Sequence, residues 1–348
     1  SDKDTTSSSG KDYQLVDSRE KRSKLISELE KMDSFCFDTE TTSVNPHEAG
    51  LVGIAISFRK DQAFFIPCPE NQKETQKIVE EFRSVFENEH TEKVGQNVKY
   101  DILVMRNYGI EVKGPVFDTM IAHYLLDPEQ RHNLTILSEK YLNHTPISIE
   151  ELIGKKGKNQ LTMRSVSVEK ITPYACEDAD LTWQLRNIME KELRDHSLWN
   201  LASQMEMPLI QVLVRMEVNG VKINEKELRD SAGELREELG NIEKKVHSMA
   251  GVSFNIDSPK QLGQVLFERM KIVDKPKKTR TKQYSTSEET LRQLSDKHPI
   301  IQKVLDYRSV RKLLSTYVEA LPELINAKTG KIHTSFNQAI AATGRLSS

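Results

Sequence analysis

Five side chains from three separated stretches of this sequence could carry out metal-assisted chemistry together. FDTET carries Asp38 and Glu40. Two residues apart on a strand, their side chains point to the same face. Like charges so placed repel unless a cation lies between them. Hard divalent cations such as Mg²⁺ take carboxylate oxygens together with substrate phosphate. GQNVKYD adds Asp101, early in a predicted helix. PYACEDAD adds Tyr174 and Asp178, four residues apart and therefore on one helical face. A D-x-E pair alone is most often a pair of ordinary strand-end acids, and a single helix acid is normally solvated. The order and wording of all three stretches argue against coincidence.

Those residues need elements to hold them. SFCFD at 34–38, LVGIAISF at 51–58 and AFFIP at 63–67, with a turn at Asp61–Gln62, predict three strands in an antiparallel meander. TQKIVEEFRSVFEN at 75–88 places Ile78, Val79, Phe82, Val85 and Phe86 on one face of a helix. A short strand near 93–95 and helical segments up to about residue 200 complete an α/β layer. Thr172–Pro173 reads as an N-cap with proline at the first helical position, or Pro173 kinks a longer helix. From about residue 204 the pattern becomes helical. A turn is expected at Asn219–Gly220 and a long charged helix over 225–250, with Leu228, Leu235, Leu239, Ile242 and Val246 at near-helical spacing. A polar basic loop follows at 275–287, then helical runs in SEETLRQLSDKHP and QKVLDYRSVRKLLSTYVEALPELI. The expected division is a flexible linker over 1–20, an α/β domain over 21–203 and a mostly helical region over 204–348.

Composition narrows the classes. A chain of 348 residues suggests two domains, and 37% hydrophobic with 29% charged residues fits globular ones. The net charge of −2 carries no global sign of a nucleic-acid binder, so such a site must come from local clustering. Cys36, Cys68 and Cys176 lie far apart and form no CxxC pair, so neither a zinc knuckle nor a disulfide framework is indicated, which fits a reducing cytosol. No apolar run approaches the roughly 20 residues that span a bilayer, and no leader opens the chain. The Ser-rich start SDKDTTSSSGKD reads as a linker or cut end of something longer.

FDTET, GQNVKYD and YACEDAD resemble the three motifs of the DEDDy exonuclease family, with Tyr-x-x-x-Asp in the third. The likeness, to the proofreading domain of family A DNA polymerases, covers roughly residues 30–200 and includes DTMIAHYLLDP, RHNLTILSEKYL and GKKGKNQLT. It implies a ribonuclease H-like fold and two divalent metal ions, Mg²⁺ first, with Mn²⁺ or Zn²⁺ as alternatives. Asp38, Glu40 and Asp178 would hold one ion and the attacking water. Asp38 would bridge to a second ion, which Asp101 supports through water, and Tyr174 would orient the nucleophilic water. The product would be a nucleoside 5′-monophosphate released from the 3′ end of single-stranded DNA. Gln96, Asn97 and Arg131 match positions that contact the terminal nucleotide, although Asn97 could equally cap a turn and Arg131 be a surface residue. Val44 sits where the family places an aliphatic wedge. Ile149 falls where a relative has a stacking aromatic, so apolar contact would replace stacking.

The second half carries a basic cluster of Lys271, Lys275, Lys277, Lys278, Arg280 and Lys282 against Asp274 alone, followed by Arg308, Arg311 and Lys312 on a helix. It is either a solvated loop or a set of phosphate contacts. RMEVNGVKIN, FNIDSPKQLGQVLFERM and YRSVRKLLSTYVEALPELINAKTGKIHTSFNQAIAATGRLSS resemble the opening of a family A polymerase domain, its thumb and the entry into the palm. That implies a grip on primer–template duplex, with Arg345 at a primer-strand contact. The family's polymerase carboxylates lie beyond TGRLSS, so this stretch is expected not to polymerise while its parent does. The chain is expected to act as a cytoplasmic monomer, with DNA and no membrane as partner. Two other readings stay open: a stand-alone RNA-trimming exonuclease, for which a helical RNA-binding domain should follow residue 204, and a non-catalytic DNA-binding module built on the same scaffold.

Overall fold

The computed structural model describes residues 10–348. Its centre is a mixed sheet in the order β1-β4-β3-β2-β5-β6. The strands are β1 (Asp12–Leu15), β2 (Ser34–Thr41), β3 (Leu51–Arg59), β4 (Gln62–Pro67), β5 (Glu92–Gly95) and β6 (Val116–Asp118). β2, β3 and β4 form the expected antiparallel meander, and β1, β5 and β6 join in parallel. β3 is buried along all but its last residue, which is why it reads as a continuous apolar run and not as an alternation. Phe35 and Phe37 pack edge-on against Phe86 at centroid distances of 5.6 and 5.1 Å.

Several local expectations are corrected. Of the linker expected over 1–20, residues 1–9 lie outside the described residues. Residues 12–15 are instead strand β1, and the helix Arg19–Leu29 starts behind an N-cap at Ser18. Tyr13 secures β1 by donating to Asp180 at 2.9 Å. The helix expected over 75–88 is two, Gln72–Glu81 and Arg83–Phe86, broken where Phe82 leaves helical geometry at ψ 4°. β6 was not foreseen, because three residues carry no readable periodicity. The helix bearing Tyr174 runs from Val168 to Asp195, so Pro173 lies inside it and Thr172 is not its cap. Proline removes an amide there, and the Thr172 hydroxyl bonds back to the Val168 carbonyl at 2.7 Å.

Contacts divide the chain at Gly220. Residues 220–333 form one unit, and residues 334–348 pack with the part up to Asn219. The expected boundary at 203/204 therefore differs from the contact division. The helix Met207–Asn219 sends Met207, Ile210 and Val214 into the core of the sheet unit, which holds it there. The second unit has its own core, including Ile242, Val246, Leu266, Ile300 and Val304. Its long helix Glu225–Ala250 is capped by Asn224 and ends at Gly251, whose φ of +63° suits glycine. In SEETLRQLSDKHP, Glu288–Arg292 is α-helical and the closing Pro299 opens the next helix, Pro299–Lys312. The loop at 275–287 contains an antiparallel bridge between Lys278 and Tyr284. Among the described residues, no helix is long and apolar enough to cross a membrane.

Candidate active site

β2 delivers the first two acids. Asp38 and Glu40 stand opposite Ala55 and Gly53 of β3, and the ladder shifts register between Glu40 and Thr41. The shift ends regular pairing where the pocket begins. Gly53 is required by its surroundings: a Cβ there would lie 2.2 Å from the Phe65 ring and 2.9 Å from the Ile66 carbonyl oxygen.

The third acid comes from the helix Val98–Asn107, which follows β5 directly. β5 pairs with β2 only as far as Cys36–Val94. Beyond that ladder, the Thr39 amide donates to Asp101 Oδ1 at 2.9 Å and the Thr39 hydroxyl to the same oxygen at 2.6 Å. Asp101 thus ties its helix to the strand between Asp38 and Glu40. Asp118 at the end of β6 sets the helix start. It accepts the amides of Asn97 and Val98, and also caps the helix Thr119–Leu126 through Met120 and Ile121. Tyr174 and Asp178 come from the helix Val168–Asp195, where the tyrosine hydroxyl donates to the carboxylate.

Asp38, Glu40, Tyr174 and Asp178 line one pocket of about 660 Å³. Asp101 lies buried behind it. Burial pushes the Asp38 carboxyl up to about 6. Glu40, Asp101 and Asp178 rise well above the carboxylate range, first through burial and then through the charge of Asp38. Asp38 is the neighbour common to the other three. Tyr174 holds its proton more firmly than a free tyrosine, through burial and the Asp178, Glu40 and Asp38 charges. No lysine, arginine or histidine is among the lining residues. Among the described residues, no three His, Cys, Asp or Glu groups stand close enough together to hold a metal ion as they are. Buried hard oxygen donors with no protein cation among them fit divalent metal ions.

The remaining sequence-predicted residues divide. Val44, Ile149 and Asn97 line the pocket; Val44 is 95% exposed and Ile149 44%. Asn97 sits at the helix N-cap with φ +58° but makes no side-chain cap bond, so capping does not occupy its amide. Gln96 is not in the lining: its carbonyl accepts the Thr119 hydroxyl and its amide donates to His132 O. Arg131 is exposed in the loop before the helix Leu134–Leu142. In the second unit Lys277, Lys278, Arg280 and Lys282 are exposed, with the Lys278 ammonium 5.1 Å from the Tyr284 ring centre. Arg311 pairs with Asp257 at 3.3 Å, while Lys312 lines a 470 Å³ cavity with Arg308, Arg292 and Tyr317. Arg345 is exposed in the segment that packs with the sheet unit. Sequence reasoning missed Thr39, Asp118 and Tyr100. The Tyr100 hydroxyl meets the Thr41 hydroxyl and donates to Ser43 O, holding the loop that presents Val44. Its place beside Asp101 in GQNVKYD was the available signal.

Comparison with known proteins agrees with this geometry. Residues 13–194 match the family model described as 3′-5′ exonuclease, and residues 225–348 match DNA polymerase family A. The chain is 38% identical to DNA polymerase I of Pseudomonas aeruginosa over 97% of its own length and 38% of that protein's. It is 40% identical to DNA polymerase I of Synechocystis sp. over 93% of its length and 34% of that protein's. It therefore spans little more than a third of these relatives. A solved structure, the POL domain of Pol1 from M. smegmatis in complex with DNA primer-template and dNTP, superposes with a TM-score of 0.79 at 26% identity, covering 96% of this chain and 54% of that one. With its mixed six-stranded sheet followed by a helical region, the chain belongs to the 3′-5′ exonuclease family as a homologue of bacterial DNA polymerase I, comprising that exonuclease domain and the start of the family A polymerase domain.

Proposed function

We propose that the sheet unit is a two-metal 3′→5′ DNA exonuclease that releases nucleoside 5′-monophosphates from single-stranded 3′ ends. One observation carries the reading: three separate stretches bring Asp38 and three further carboxylates together in and behind one pocket whose lining holds no basic residue. Asp38, Glu40 and Asp178 would hold divalent ions, Mg²⁺ first, with Asp101 in support. Bound there, such ions lower the pKa of water and stabilise a departing 3′-oxygen. The chain's own residues do the rest. Thr39 fixes Asp101, and through it the helix, against β2. Tyr174, which keeps its proton, donates a hydrogen bond and can orient an attacking water. Val44 and Ile149 offer apolar surface to an unpaired terminal base, and the Asn97 amide can meet its phosphate or sugar.

For the second unit we propose contact with primer–template duplex through Lys277, Lys278, Arg280, Lys282 and Lys312, in a bacterial cytosolic enzyme of replication and repair. Arg345, in the segment 334–348 of the sheet unit, would contact the primer strand. Changing Asp38 and Glu40 together to alanine should reduce Mg²⁺-dependent release of nucleotides from a labelled oligonucleotide to background, while circular dichroism shows the fold retained. Full activity in a folded double variant would reject the assignment.

A further inference from the structure

The loop at 154–162 forms one wall of the acid pocket. Gly157, Gln160, Leu161 and Thr162 line the pocket from it. Leu161 is 54% exposed there, an apolar side chain held out into water in a pocket that Asp38, Glu40 and Asp178 also line. The loop is built to keep it in place. The Leu161 amide donates to Ile153 O at 2.9 Å, closing the loop on itself, and the Gln160 side chain donates to Gly154 O at 3.2 Å. Beyond Thr162, Met163 is buried and the Arg164 guanidinium donates to the carbonyls of Cys68 and Leu51, the latter at the start of β3. The same loop carries Lys155, Lys156 and Lys158, all exposed. The nearby acids Glu150 and Glu151 lie at the other end of the short helix Ile149–Ile153, where Glu151 serves its capping box.

A fixed apolar tip at the pocket with three ammonium groups behind it matches a single nucleic-acid strand: a base with an open face, followed by phosphates. The geometry points to residues 155–161 as the guide for the single-stranded DNA that leads into the pocket. Leu161 meets a base near the 3′ end, and Lys155, Lys156 and Lys158 meet the phosphates upstream of it. Paired bases have no free face to offer Leu161, so the loop favours a frayed end over a duplex end. This inference rests on the exonuclease reading for the direction of the strand but not for its binding.

Its test is therefore a binding measurement in EDTA, using fluorescein-labelled oligo(dT) titrated into the full chain. Replacing all three lysines with alanine should weaken binding and flatten the slope of log K against log salt by roughly 2, since each single-strand phosphate contact contributes about 0.7. Leu161→Ala should weaken binding about tenfold, as losing one to two buried methylenes would, and leave the slope unchanged. The exposed pair Lys73 and Lys77, on the helix Gln72–Glu81 and outside the lining, serves as charge control and should alter neither quantity. An unchanged slope in the folded triple variant, or equal losses in the control, overturns the proposal. Intact strand binding in a protein that releases no nucleotide with Mg²⁺ would count against the exonuclease reading alone.

Discussion

At the residue scale, electrostatics dominates. Asp38 is the charge that Glu40, Asp101 and Asp178 all feel, so the pocket holds negative charge at a cost that a bound divalent ion offsets. A second buried titrating pair lies outside it. His123 and His132 meet through their Nδ1 atoms at 2.8 Å, with Lys140 at 3.3 Å from His123 Nε2. Burial and the Lys140 charge hold His123 down at about 4. A histidine whose folded value lies below its unfolded value of about 6.5 takes up fewer protons in the folded state. Stability is then lost as pH falls from about 6.5 toward 4. The variant His123→Phe should show a smaller fall in Tm between pH 6.5 and 4 than the parent, read by thermal melts across that range. Equal slopes would show that the pair does not govern acid stability.

At the scale of elements, the site depends on strand register more than on any loop. Glu40 faces Gly53, and Gly53 has the Phe65 ring and the Ile66 carbonyl oxygen where a side chain would begin. Gly53→Ala should push β3 from β4 and cost about 1–3 kcal/mol, as overpacking does in dense cores. Chemical denaturation would read that loss. Because the shifted strand carries the partner of Glu40, nucleotide release should fall as well. The two helices behind the sheet are also joined by one carboxylate. Asp118 serves both helix starts, and burial raises its carboxyl to about 6 although four backbone amides favour its charged form.

At the scale of the molecule, the segment 334–348 is fastened to the sheet unit. Lys99, two residues before Asp101, forms an ion pair with Glu217, which also accepts the Phe336 amide at 2.8 Å. Gln338 donates to Glu206, and Tyr124 donates to Ala341 O and accepts the Gly344 amide. Glu217 is 2% exposed and Lys99 11%. Glu217→Ala would leave the ammonium buried without this partner, which typically costs about 3–5 kcal/mol. Denaturant titration should show that loss in the sheet unit, and limited proteolysis should open the chain near residue 336. A change below about 0.5 kcal/mol would mean the pair is solvated and the fastening lies elsewhere.

The amino-acid order alone determined the family and the meander and pointed to the five residues proposed for the site, because each rests on short-range information. Alternation places Asp38 and Glu40 on one face, a four-residue interval places Tyr174 with Asp178, and the three motifs keep their wording. It left the place of Pro173 open between two readings, and it did not reveal β1 and β6, the roles of Thr39 and Asp118, or the return of residues 334–348 to the sheet unit. Those are decided between groups far apart in the chain. A strand of three or four residues exists only through the neighbour that completes its hydrogen bonds. A buried carboxylate becomes a double cap only when folding brings two helix starts to it. Tertiary structure alone could set four acids from three stretches around a single pocket with no basic residue in its lining, because charge and burial act through space and not along the sequence.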